Sequence, residues 1–349
     1  MTQDLDDVLV VGGGAAGLSA ALTLARARRR VVVVHDGTPR NAPAARMHAY
    51  LSRDGLPPAE LLDLGRDEVV GYGAEVVEDR LLAVRRDGDV FRAVLAGGRE
   101  VRARRVLVAT GLVDTLPDVA GVAERWGRDV LHCPFCHGWE VRDRAVAVLA
   151  TGPTGVHQAL LWRGWTDDVT LFLHTGGEPT GTEWEQLAAR GVRVVDGRVG
   201  SLVVRGDVLT GVRLASGVEL GCDAVVVATR MDARTAPVAG LGLPVEPVEL
   251  AGTVIGSRVV AGPDGATGVA GVWAAGNVTD PRAQVQVAAA AGLTAGAAVV
   301  ADLAAEDLAG AVSRRRAQEA EPFSARAERA AAAHLTATSP VRAGRGHGL

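Results

Sequence analysis

The sequence predicts an α/β protein of two doubly wound parallel-sheet domains, the second inserted into the first. A strand–glycine turn–helix–strand pattern opens the chain, and the same pattern recurs near residue 145. A return to strand–turn–helix over 271–302 implies that the first domain is completed only after the second has been made. On this reading residues 1–117 and 249–312 form one domain, 118–248 the inserted domain, and 313–349 a tail. A chain of 349 residues has the length for two ordinary domains.

The first unit starts with Val8-Leu9-Val10-Val11, a continuous apolar run of the kind buried on both faces of a parallel sheet. Gly12 to Gly17 is the turn, Leu18 to Ala27 the helix, and Val31 to Val34 the next strand, closed by His35-Asp36. In the second unit Ala145 to Leu149 is the strand and Ala150-Thr151-Gly152-Pro153-Thr154-Gly155 the turn. Val156 to Trp162 then reads as helix and Val169 to Leu173 as strand. Val90–Leu95 and Val106–Ala109 belong near the first unit; Val192–Val195 and Val225–Ala228 belong to the second. The last 37 residues hold seven arginines against three glutamates and few large apolar side chains, and read as a partly helical, partly disordered, solvated tail.

Gly12-x-Gly14-x-x-Gly17 has the context that a bare glycine pattern lacks. It follows a strand, opens a helix through Ala16, and is followed one strand later by Asp36. Glycine permits the tight turn and lets backbone N–H groups approach a pyrophosphate at the helix N-terminus. Asp36 is placed to accept hydrogen bonds from ribose hydroxyls. Dinucleotide binding is the expected function of this turn. The segment from Pro39-Arg40-Asn41 to His48, with Arg53-Asp54-Gly55, has the length of a loop that wraps a bound ring, with Arg40 and Asn41 touching the cofactor. An ordinary surface loop held by salt bridges fits it equally.

Cys133-Pro134-Phe135-Cys136-His137 admits three chemistries. As CxxCH it could attach a haem, which needs export and an axial partner. As half of a zinc site it lacks a second Cys/His pair at usable spacing. As a redox dithiol it closes a small exchangeable ring, with His137 and His132 available to hold or take a thiol proton. The redox dithiol is the favoured reading, and Phe135 and Trp139 beside it read as pocket lining or as core. Cys222 precedes an apolar run and reads as a buried structural thiol.

Composition narrows the field further. All 37 basic residues are arginine, which removes Schiff-base chemistry and the lysine-dependent phosphate loop. A net charge of −4 argues against binding nucleic acid by phosphate neutralisation. The acidic N-terminus does not resemble a signal peptide, and the Ala/Gly run from Val287 to Ala301 reads as too weakly apolar for a membrane span. The expected location is the cytoplasm, with no membrane partner and no metal.

These motifs resemble the low-molecular-weight thioredoxin reductase superfamily over residues 6–305. The likeness rests on the first glycine turn, Ala109-Thr110-Gly111 after a strand, the CxxC in the second domain, and Gly276-Asn277-Val278-Thr279-Asp280 followed by Gln284-Val285-Gln286. The resemblance implies two Rossmann-like FAD/NAD(P)-binding domains, a homodimer, and FAD held partly by Gly276, Asn277, Gln284 and Val285. That family usually has Asp where Asn277 stands. It further implies that Cys136 lies against the flavin and that Cys133 exchanges with substrate. Where the reductases have Asp after the second cysteine this chain has His137, and Cys133 to Gly138 is similar to the dithiol oxidases of gliotoxin- and holomycin-type metabolites.

The second glycine turn departs from the reductases. Ala150 replaces the first glycine, Pro153 removes a backbone donor, and Leu173-His174-Thr175-Gly176 stands where NADPH-using relatives carry arginines. NADPH use is therefore not expected. The expected activity is oxidation of a small-molecule dithiol to a disulfide through FAD and the CxxC pair, with O2 as acceptor and H2O2 as product. The alternatives are an NAD(P)H-dependent disulfide reductase like the thioredoxin reductases, and a flavin-bearing redox sensor.

Overall fold

The computed structural model describes residues 5–250, 252–318 and 325–338. From the N-terminus run β1 (Leu5–Val11), α1 (Ala15–Arg26), β2 (Val31–His35), α2 (Pro58–Gly71), β3 (Glu75–Glu78), β4 (Leu81–Asp87), β5 (Val90–Leu95) and β6 (Glu100–Val108). The chain continues through β7 (Leu112–Thr115), α3 (Val122–Arg125), β8 (Val130–Leu131), α4 (Pro134–His137), β9 (Val146–Leu149), α5 (Gly155–Trp162), β10 (Val169–Phe172), α6 (Gly181–Ala189) and β11 (Arg193–Val195). Then come β12 (Val199–Arg205), β13 (Val208–Leu214), β14 (Glu219–Gly221), β15 (Ala224–Val227), β16 (Arg230–Ala233), β17 (Val245–Leu250), β18 (Thr253–Val259) and β19 (Val272–Ala274). Two helices close the order, α7 (Val285–Gln318) and α8 (Ala325–Thr338).

The first sheet is ordered β3-β2-β1-β6-β5-β4, with β19 also paired to β6. Strands β3, β2, β1, β6 and β19 are parallel, and β4–β5 adds an antiparallel ribbon. The all-apolar ends of β1 and β2 are buried on both faces, as parallel strands covered by helices must be. From β1 the chain builds outward to β2 and β3, then returns on the other side of β1 as β6. That reversal leaves a crevice at the carboxyl ends of β1 and β6, where open α/β sheets bind their ligands.

The second parallel sheet, ordered β11-β10-β9-β15-β8, repeats the plan with its reversal between β9 and β15. Strands β7 and β16, which flank this stretch of chain, pair antiparallel within the sheet β17-β18-β16-β7. Both glycine-turn units thus have their own sheets, as the sequence predicts. The expected boundary at 248/249 falls inside the β17–β18 hairpin.

Residues up to Val300 form one compact unit, and the chain from Ala301 onward another. The tail boundary expected at 312/313 falls inside α7, which runs without a break through Gln318. Ala, Leu, Arg and Gln all favour the helix, and no glycine or proline falls between Gly310 and Gln318. Within the tail α8 is also helical, while 319–324 and 339–349 lie outside the described residues.

The hydropathy of α7 is likewise higher than the sequence reading allowed. Val285–Arg316 is long and apolar enough to cross a membrane by length and composition. Its first turns nevertheless dock on α1. A Cβ at Gly292 would lie 2.0 Å from Ala16 O, and one at Gly296 would lie 2.9 Å from Ala20 O, so glycine at these positions lets the two backbones meet. Ala288, Ala295 and Val299 are buried on the same stretch.

Candidate active site

The first glycine turn sits in the crevice between β1 and β6, and each glycine has a separate reason. Gly12 has φ +114°, and a Cβ there would stand 2.2 Å from Ala109 O. At Gly17 a Cβ would lie 1.8 Å from Gly12 O, so only glycine lets α1 pack onto the turn. A Cβ at Gly14 would meet nothing within 4 Å, because this residue borders the open cavity at the start of α1. The first N–H groups of α1 have no partner inside the helix and suit an anionic group there.

The other candidate cofactor residues converge on this cavity. Gly12, Gly14, Ala16, Asp36, Arg40, Asn41, Ala109, Thr110, Gly111, Asn277, Gln284 and Val285 all line it. Gly17 and Gly276 form its buried support: a Cβ on Gly276 would press to 2.7 Å from Ala16 Cβ. The cavity measures about 1110 Å³. Thr110 Oγ1 is buried without a hydrogen-bond partner and Gly111 has φ +71°, so the turn after β6 presents a hydroxyl in need of a partner. Two helix N-termini, of α1 and α7, border one volume that ends at a carboxylate, Asp36. These features fit FAD, with its pyrophosphate, hydroxyls and extended shape.

Asn277 also does a structural job beside lining the cavity. Its Nδ2 donates to Asp280 O at 3.1 Å and to Ala283 O at 2.8 Å, fastening the turn that leads into α7. A carboxylate at this position could not donate to those carbonyls. Arg40 is also committed: Nε and Nη2 form a bidentate pair with Asp114 at 2.7 and 2.8 Å. Thr229 Oγ1 donates to the same carboxylate at 2.7 Å. These two donors hold the Asp114 carboxyl below its usual range against the opposing effect of burial, the largest influence on it.

The dithiol enters the same cavity from the second sheet. Strand β8 pairs with β15 through Val130 and Leu131, and the chain leaves its carboxyl end as His132-Cys133. Pro134 opens the short α4, so Cys133 ends an extended segment and Cys136 lies one turn on. Both thiols are free and half-buried, and both line the cavity with His132 and His137. The Cys136 thiol and the backbone N–H groups of Cys136 and Phe135 stabilise a Cys133 thiolate, bringing Cys133 down to about 6 despite burial. Cys136 is raised, because it donates to Cys133 and is itself buried. One proton shared between two sulfurs leaves the thiolate of the reduced pair on Cys133.

Both flanking histidines are kept neutral, chiefly by burial. His132 Nδ1 donates to Val227 O at 3.2 Å, leaving Nε2 as its free acceptor. Phe135 and Trp139 are both exposed, which removes core packing as an explanation for either. Phe135 lines the cavity and meets the Trp165 ring edge-on at 5.6 Å, whereas Trp139 lies outside it under the Arg142 guanidinium. Cys222 is core, and burial pushes its thiol up to about 12.

At the second glycine turn the chain folds back onto Ala150. Thr175 N donates to Ala150 O at 3.1 Å, and a Cβ at Gly176 would stand 2.6 Å from Ala150 Cβ. His174, at φ +47°, accepts the Val199 N–H at Nδ1 (3.1 Å). Burial and then the Arg198 charge lower its proton affinity. Arg198 thus reaches this turn from beyond β11, an arginine that the local sequence reading did not bring there. Asp114, Thr229 and Glu140 were also missed, since nothing near them in sequence distinguishes an ion-pair partner from any surface residue.

Residues 6–292 match the family described as pyridine nucleotide-disulphide oxidoreductase, and the chain belongs to it. Membership, with this dithiol and cavity, makes it an FAD-dependent disulfide oxidoreductase by class. It is 37% identical over 164 residues to a thioredoxin reductase, tcpT, of Claviceps purpurea (strain 20.1), across 46% of this chain and 51% of that one. The match therefore spans about half the length of that relative. Thioredoxin reductase sirT of Leptosphaeria maculans is 31% identical over 323 residues, covering 84% of this chain and 93% of that one. A crystal structure of HlmI shares 47% identity at a TM-score of 0.83, over 90% of this chain and 97% of that chain.

Proposed function

We propose that this protein is an FAD-dependent dithiol oxidase that closes a disulfide in a small-molecule dithiol and passes the electrons to O2. The observation that carries the reading is the contrast between its two turns. The first keeps all three glycines and opens onto the cavity that holds Cys133 and Cys136, while in the second Thr175 and Gly176 pack on Ala150, although Thr154 also borders that cavity. The 47% identity to HlmI over nearly all of both chains supports it, given the likeness of Cys133 to Gly138 to holomycin-type oxidases.

The cycle starts from the Cys133–Cys136 disulfide. A substrate thiolate attacks Cys133 Sγ, forming a mixed disulfide and releasing the Cys136 thiolate. The substrate's second thiol attacks its own sulfur of that bond, releasing the Cys133 thiolate and the product disulfide. Two electrons then reside on the protein dithiol, and His137, with His132, takes the thiol protons. Bound at the first turn, FAD supplies a two-electron acceptor that O2 reoxidises with release of H2O2. Phe135 offers the substrate an exposed apolar face. We place this chemistry in the cytoplasm, in a homodimer whose first domain is split around the second.

A nicotinamide-dependent disulfide reductase is the second reading, and the names of tcpT and sirT favour it. Anaerobic bleaching of the flavin separates the two. Excess dithiol should bleach the yellow protein, and air should restore the colour with one H2O2 per disulfide formed. Rapid bleaching by NADPH or NADH, with none by dithiol, would overturn the oxidase reading in favour of the reductase.

A further inference from the structure

Helix α5, which follows the second glycine turn, borders the dithiol cavity along one side. Thr154 at its N-terminus, His157, Gln158, Leu161 and Trp162 line that cavity, at the spacing of a single helical face. Val156 and Ala159 pack in the core of the second sheet. The end of the helix is seated against the dithiol segment. Trp165 meets Phe135 at 5.6 Å and Trp162 at 6.2 Å between ring centres, and a Cβ at Gly138 would lie 2.8 Å from the Trp165 ring.

Two polar atoms on this face have no hydrogen-bond partner among the described residues. Gln158 Oε1 and Trp162 Nε1 are both buried, one an acceptor and the other a donor, four residues apart, and they do not bond to each other. Buried polar atoms are as a rule paired, so two orphans on one wall of a cavity mark a place for a ligand. Trp162 is fully buried, whereas Gln158 is half-buried. A helical side chain leans back over the preceding turn, which puts the Trp162 indole beneath the turn that carries Gln158. None of the five lining residues is a carboxylate or an arginine.

We propose that this face of α5 is the specificity wall of the dithiol site and binds an uncharged amide of the substrate. The Gln158 side chain swings toward the cavity and its Oε1 accepts the amide N–H, while Trp162 Nε1, uncovered by that movement, donates to the amide C=O. A primary or secondary amide supplies the donor and the acceptor together without a charge. A carboxylate in the same place has no N–H for Gln158 and brings a charge to a wall with none to meet it. Leu161 and the exposed Phe135 offer apolar surface to the rest of the molecule. That the ligand carries two thiols rests on the oxidase reading above; that the wall reads an amide does not.

The test compares dihydrolipoamide with dihydrolipoate, dithiols that differ only in ending as amide or carboxylate. The full-length, FAD-loaded protein should turn over the amide with about tenfold higher kcat/KM or more, the discrimination expected when the poorer substrate leaves buried polar groups unpaired. Gln158→Leu should bring that ratio close to one, mainly through KM for the amide. Equal kcat/KM for the two in the parent protein, or an unchanged ratio in Gln158→Leu, would overturn the proposal. A second readout needs no turnover: the indole N–H signal of Trp162 by 15N NMR, assigned through Trp162→Phe or, if that variant does not fold, by replacing the other five tryptophans one at a time. Lipoamide should move this signal downfield and lipoate should leave it in place. An upfield move caused by Gln158→Leu in the ligand-free protein would overturn the proposal, because the two side chains would then be bonded to each other. An amide-selective shift in a protein without dithiol turnover would uphold the wall while the oxidase reading fails.

Discussion

At the residue scale the site turns on how one proton is shared. Cys133 brought down to about 6 means that its thiolate fraction grows as pH climbs through that value and dominates at neutrality. Iodoacetamide labelling, followed by mass spectrometry on the reduced protein, should therefore rise through a midpoint near 6 at Cys133 and leave Cys222 unlabelled. Cys136→Ala removes the principal hydrogen bond to that thiolate and should move the midpoint up toward the ordinary thiol value, about 8.5. An unmoved midpoint would show that the backbone N–H groups, rather than Cys136, activate Cys133. The CxxCH spacing made this pair legible in the sequence because its chemistry is local. Arg40–Asp114, 74 residues apart, was not, since an ion pair of that separation exists only once β7 has been placed beside the loop.

At the element scale the glycines decide what packs. Gly12, Gly14 and Gly17 could be read from spacing, because the pattern itself marks the turn, although the backbone that Gly12 meets is that of Ala109. Gly292 and Gly296 could not, because what forbids a side chain there is the backbone of α1, far off in sequence. Gly292→Leu should force α7 off α1 and cost roughly 3 kcal/mol or more. A lowered urea midpoint, with weaker FAD retention, checks this expectation. The second turn shows the opposite limit. Its lost glycine was visible, but the packing of Thr175 and Gly176 on Ala150 and the arrival of Arg198 depend on how two strand ends fold back.

At the scale of the whole molecule one cavity collects the ends of β1, β2, β6, β8 and the starts of α1 and α7. Its occupant bridges pieces of chain separated by more than 250 residues, so binding should stabilise all of them together. Adding FAD to the flavin-stripped protein at about 1,000 times its dissociation constant should raise stability by about 4 kcal/mol, read as a higher melting temperature. A change confined to local protease sensitivity near Gly12 would show that the pieces are not coupled. The docking of α7 on Ala16 and Ala20 then acquires a second meaning. That helix has the hydropathy of a lipid-soluble segment, and α1 covers the part of it around Gly292 and Gly296. Because the starts of both helices border the cavity, loss of flavin should loosen that contact. The emptied protein would then uncover the rest of an already half-open apolar helix, and its fate would be set by aggregation, lipid adsorption or proteolysis more than by lost turnover.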